Sequence, residues 1–190
     1  MQINEYPNGD INLNILPLME GKEYFSLETY ERLKLCKARV YNYWNWLQTQ
    51  KGFDTYTFKC FAQKVGVRES YRLVGKYVLT ETDVRAGFLK QNKRYQIIAY
   101  SDHPLDIHGK RNAKIKHIQE MEMPYGIPYD CILSKEIINL EVACRGASFS
   151  HIAASSCSLS RTMIALGEAA GQAAVLAVNN KCSFHEINIS

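Results

Sequence analysis

The last third of the chain constrains its fold most. Asn139 to Ala143, NLEVA, has the make-up of a short buried strand, and it runs into CRGASFSHIAASSCSLS, a loop-like stretch of small and hydroxylated residues. From Arg161 onward, RTMIALGEAAGQAAVLAV reads as a helix closing near Asn179 and Asn180. Gly167, Gly171 and the alanines around them remove side-chain bulk, so this helix can lie close against a sheet or a planar ligand. Ser160 is placed to cap it, which leaves the first-turn amides as a binding site for an anion or a carbonyl oxygen. A tight helix–sheet contact explains the same pattern without any ligand.

Upstream, residues 11–16, INLNIL, alternate apolar and polar with the period of a half-buried strand. Ser26 opens a predicted helix on which Leu27, Tyr30, Leu33, Tyr41, Trp44 and Leu47 share one face, and Gly52 ends it. That aromatic stripe is read as core, not as a cofactor contact. RLVGKYVL, from Arg72 to Leu79, reads as a strand, and Thr80 with Asp83 forms a capping box for a short helix through Phe88. Gln96 to Tyr100 is a further strand. SDHPLDIHGKRNAKIKH and MPYGIPYD read as loop- and turn-rich.

Composition narrows the function classes. An apolar fraction of 46% and a charged fraction of 22% describe an ordinary soluble globular chain. The net charge of +4 is scattered, its densest stretch being Lys110, Arg111, Lys114 and Lys116, so no nucleic-acid partner is expected. Thr162 to Val178, the longest apolar stretch, contains Glu168 and Gln172 and is shorter than the ~20 residues a bilayer span needs. No membrane association is expected, and a cytoplasmic location is, unless an N-terminal half elsewhere carries an export signal. The six cysteines form no CxxC pair and are read as reduced, mostly buried thiols. Asp102, His103, Asp106 and His108 fall within seven residues and have the residue types of a metal-dependent hydrolase, the weaker alternative; such clusters in loops are more often turn-forming and solvated.

Four segments carry a resemblance. NLEVACRGASFSHIAASSCSLSRTMIALGEAAGQAA, GVRESYRLVGKYVLTETDVRAG, DHPLDIHG and PYGIPYDCILSKEIINL together resemble the C-terminal part of a family of FAD-dependent oxidoreductases common in bacteria. More distantly, they are similar to the end of fumarate-reductase-like flavoproteins. They cover most of residues 60–178 in the family's order. The resemblance implies an α+β chain. Residues 1–126 would be a partial substrate-type domain of sheet plus helices, and 127–190 the terminal strand–loop–helix of a flavin-binding domain.

It implies FAD as cofactor, held by Arg145, Ser148, Ser155, Ser156, Arg161, Thr162 and Met163, the last three through first-turn amides. His108, Arg68, Arg72 and His151 would face a small-molecule substrate, and the reaction would be hydride transfer between substrate and flavin. Two departures qualify this. Ser158 stands where related members often carry arginine, and the eleven glycines contain no GxGxxG to grip the ADP moiety. The expectation is therefore a C-terminal fragment or subunit, inactive alone and not binding FAD tightly by itself. Its partner would be a separately encoded N-terminal FAD-binding half. The competing expectation is a non-catalytic interaction module or truncated remnant, self-associating through an orphaned apolar surface.

Overall fold

The computed structural model describes residues 2–14, 18–107 and 118–189. The chain forms two compact units, one running to Arg68 and one beginning at Glu69. Both combine helices with small antiparallel sheets, an α+β architecture.

In the first unit, β1 (Gln2–Glu5) and β2 (Ile11–Asn14) form an antiparallel hairpin closed by the Tyr6 amide on the Asp10 carbonyl at 2.8 Å. The helix predicted from Ser26 is two helices, α1 (Gly21–Ser26) and α2 (Thr29–Gln50). Ser26 does not cap: its hydroxyl donates to the Glu23 carbonyl at 2.9 Å inside α1, and Leu27 is extended, so α2 starts after Glu28. Gly52 follows α2 at φ 75°, the left-handed region that suits glycine after a helix. Tyr41 packs on Phe58 and Phe61, each at 5.0 Å between ring centroids, and Leu47 is buried. The stripe is only partly core: Leu47 is buried and Leu27 and Trp44 are half-buried, whereas Tyr30, Leu33 and Tyr41 are exposed.

The core of the second unit is Leu79, Val84, Leu105, Tyr125, Ile127, Ile132, Leu133, Phe149 and Leu166. The predicted strand at 72–79 is extended but builds no ladder, because its hydrogen bonds alternate between two neighbours. Leu73 donates to the Gly146 carbonyl, Lys76 to Leu133 and Leu79 to Ser148, while Ser150 donates back to Leu79. NLEVA likewise makes only one bridge, Leu133 with Glu141. α3 (Glu81–Lys90) carries the expected capping box of Thr80 and Asp83.

MPYGIPYD is not simply a turn. It contains β6 (Tyr125–Pro128), a fully buried strand paired with β3 (Ile97–Ser101). A Cβ at Gly126 would come within 2.4 Å of the Ile97 side chain, so the residue that looked like a turn signal is there for close packing. Gln91, just after α3, seals the strand by accepting from the Gly126 amide at 2.6 Å and donating to its carbonyl at 2.9 Å. β4 (Leu105–Asp106) pairs with β5 (Ile118–Gln119).

The serine-rich run, expected as loop, contains α4 (His151–Cys157). Its serines are compatible with a helix because they bond locally. Ser150 caps the Ala153 amide, and Ser155 returns its proton to the Ile152 carbonyl at 2.7 Å. α5 (Ser160–Asn180) follows, and its N-cap is Leu159; Ser160 is already inside the helix. All six cysteines are free thiols; Cys36, Cys131 and Cys157 are buried, whereas Cys60 and Cys144 are exposed.

One carboxyl ties this packing to pH. Tyr129 donates its hydroxyl to Glu141 at 2.6 Å, and burial raises the Glu141 carboxyl above its ordinary value of 4.5, with the tyrosine bond opposing. The folded protein thus binds this proton more tightly than the unfolded chain does. Its stabilising contribution is complete below about pH 4.5 and is lost as pH rises through the higher folded value. Glu141→Gln keeps an acceptor for Tyr129 and removes the titration. Urea midpoints measured between about pH 4 and 7 are expected to fall with rising pH more steeply in the parent than in the variant.

Candidate functional site

Three elements of the second unit bring candidate residues together. The extended segment supplies Arg72, the residues just before it supply Glu69, and α4 begins with His151. The backbone bonds between Leu79 and residues 148 and 150 fasten the segment to the start of that helix. Glu69 joins the other two: His151 Nδ1 donates to Glu69 Oε1 at 2.5 Å, and the Arg72 guanidinium pairs with Oε2. The carboxylate accepts at Nδ1, which assigns the proton there. Side-chain exposures of 26% for Arg72, 34% for Glu69 and 48% for His151 place the cluster at the rim of the protein, not in its core. Burial lowers the Arg72 guanidinium from its ordinary value, yet arginine stays cationic at neutral pH.

The other candidates divide. Arg68 is exposed at the end of the first unit. His108 lies outside the described residues. Asp102 pairs with Arg161, and the His103 ring nitrogen Nδ1 donates to the Pro104 carbonyl at 2.7 Å. Among the described residues no group of three or more His, Cys, Asp or Glu is gathered to hold a metal ion.

At the α4–α5 corner, Arg145 Nε donates at 2.8 Å to the carbonyl of Ser158, the residue that ends α4. Ser148 is buried and accepts from the Gly75 amide at 3.2 Å. Ser156, also buried, accepts from the Tyr125 hydroxyl at 2.7 Å and donates to the His103 carbonyl. Burial raises the Tyr125 hydroxyl and pushes the neighbouring Cys157 thiol up to about 12, so neither is a nucleophile at neutral pH. The serines therefore hold the corner together with their own hydroxyls.

The start of α5 differs. No side chain caps it, and Met163 spends its amide on the Leu159 carbonyl at 3.0 Å, which leaves the amides before it as the donors of the first turn. Thr162 is 1% exposed, and its Oγ1 has no hydrogen-bond partner. A buried hydroxyl in that condition is costly unless something else binds it.

Sequence reasoning did not single out the unpaired Thr162 hydroxyl. In GVRES, Glu69 with Arg68 and Arg72 reads either as a substrate-orienting carboxylate and arginines or as an Arg–Glu pair tying a loop to a strand, and the pair with Arg72 is present; the link of Glu69 to His151 spans 82 positions and leaves no local signal.

Comparison with known proteins adds one match: the family model described as FAD dependent oxidoreductase matches residues 1–190. No curated protein and no solved structure matches the chain.

Proposed function

Because the chain belongs to the FAD dependent oxidoreductase family, we propose that it carries the flavin-ring side and the substrate side of such an enzyme. On this reading the ADP end of the cofactor is gripped by a separate N-terminal half. The observation that carries the proposal is the start of α5, an uncapped 21-residue helix whose first turn holds a buried, unbonded hydroxyl. Thr162 and the first-turn amides fit the polar edge of a flavin ring, and Arg161, paired with Asp102, stands beside it. The ADP end finds no counterpart, since no GxGxxG occurs.

Bound flavin supplies a two-electron acceptor for hydride. The chain's own residues do the rest. His151, held by Glu69, takes the proton of a substrate hydroxyl as the carbon gives up hydride. Arg72 anchors an anionic group of the substrate. The likeness to fumarate-reductase-like flavoproteins, a bacterial origin and a cytoplasmic location belong to the same proposal. Among the described residues no helix is long and apolar enough to cross a membrane.

One observation favours a second reading, an interaction module. α5 exposes Ile164, Val175 and Val178, and open space faces Gly167 and Gly171. That apolar face suits either the missing half or self-association.

The test is spectroscopic. The purified chain mixed with FAD is expected to stay without a bound band near ~450 nm. Co-expression with an adjacent reading frame encoding a GxGxxG half is expected to give a yellow complex. A colourless complex overturns the proposal, and a yellow chain by itself overturns the division of the cofactor site.

A further inference from the structure

A second polar cleft lies under the end of the chain, and none of its lining residues belongs to the His151 cluster or to α5. Its volume is ≈ 270 Å³. Tyr129, Asp130 and Leu133 make a buried floor, and Ile187 and Ile189 of the C-terminal tail form an apolar wall. The tail is fastened down by His185, whose Nε2 donates to the Ser134 carbonyl at 2.8 Å.

Two polar groups of this cleft can meet a ligand, one unbonded and one only loosely paired. Gln96 Oε1 is shut away from solvent and has no hydrogen-bond partner. Among the described residues Lys76 faces the Asp130 carboxylate at 3.9 Å, too far for a hydrogen bond. Asp130 is already satisfied by Lys93 at 3.0 Å. Lys93 and Asp130 cancel, which leaves the single positive charge of Lys76.

We propose that this cleft binds a small aliphatic acid carrying a hydroxyl or amino group beside its carboxylate. The carboxylate meets Lys76, whose ammonium has three donors to place. The adjacent hydroxyl or ammonium donates to Gln96 Oε1, which a small rotation of the soft terminal torsion turns toward the cleft. A short branched body lies on Leu133, Ile187 and Ile189. A dianionic phosphate is disfavoured because the Asp130 carboxylate stands beside Lys76. The volume lies just below the range for drug-sized ligands, which favours a compact molecule.

The test is calorimetric titration of the 190-residue chain with L-valine, 2-hydroxyisovalerate and isovalerate. The first two carry the donor and isovalerate does not. At least one donor-bearing acid is expected to bind, with isovalerate about 10-fold weaker or worse because it leaves the Gln96 acceptor unmet. Lys76→Met and Gln96→Leu are each expected to weaken binding by about 10-fold or more. Gln96→Leu is also expected to leave the melting temperature unchanged or raise it, because it removes an unbonded buried atom. A merely structural glutamine would lower it. No binding by any of the three at about 10 mM overturns the proposal and leaves a hydrated cleft. Equal affinity for 2-hydroxyisovalerate and isovalerate overturns it as well, and that comparison needs no variant to fold.

Discussion

Asp83→Ala is expected to destabilise the unit that begins at Glu69 by about 3–5 kcal/mol, lowering its melting temperature by about 10–20 °C. Asp83 is 1% exposed and accepts three hydrogen bonds: from the Tyr77 hydroxyl at 2.7 Å, the Thr80 amide at 3.0 Å and the Thr80 hydroxyl at 2.7 Å. Alanine strips all three donors of their partner, two of them inside the capping box of α3. Each orphaned donor costs roughly 1–3 kcal/mol, against about 1 kcal/mol for loss of an ordinary cap. Asp83→Asn keeps one accepting oxygen and is expected to lose about half as much. Urea unfolding of both variants checks the ranking; equal midpoints for alanine and asparagine would sink it. The loss reaches the candidate site, because Asp83 fixes the end of the segment that carries Arg72 and bonds through Leu79 to the start of α4.

That capping box was legible in the sequence because its chemistry is local: Thr80 and Asp83 are three residues apart and satisfy each other's backbone. α5, β3 and the helical run of α2 were legible for the same reason, each being announced by spacing within one element. The misreadings share a different physics. Gly126 and the two prolines around it looked like a turn, but a buried strand needs glycine where Ile97 presses on it, a demand set by a neighbour 29 positions away. Serines in 148–158 looked like loop, yet Ser150 and Ser155 bond within α4 and Ser156 bonds to the core. Residues 72–79 looked like a strand and are extended, but their partners alternate. At the site, Arg72 and His151 were recognisable by type and by resemblance. So was Glu69 as a partner for arginine, but its link to His151 was not, since only tertiary packing joins positions 69 and 151.

Glu69 is accordingly where the largest functional effect is expected. If the proposed yellow complex with a separate FAD-binding half forms, it can be screened against hydroxy acids and secondary alcohols for the substrate that bleaches its flavin fastest. With that substrate, Glu69→Ala and His151→Ala are each expected to slow bleaching by about 10²–10⁴-fold, the usual worth of a positioned acid–base group. Glu69 touches no substrate in this scheme; it orients the ring that does. The double variant should therefore be little slower than either single one, because removing the ring abolishes what its support can contribute. Glu69→Gln, which retains an oxygen able to accept from Nδ1, should recover part of the rate and shift the pH profile. Stability should move little. All three side chains are more than a quarter exposed, so losing this ion pair costs on the order of 1 kcal/mol, an effect that salt screens further. A rate loss that simply multiplies in the double variant would mean that Glu69 and His151 act separately. A large drop in stability with the rate unchanged would mean that the cluster is only a strut between the extended segment and α4.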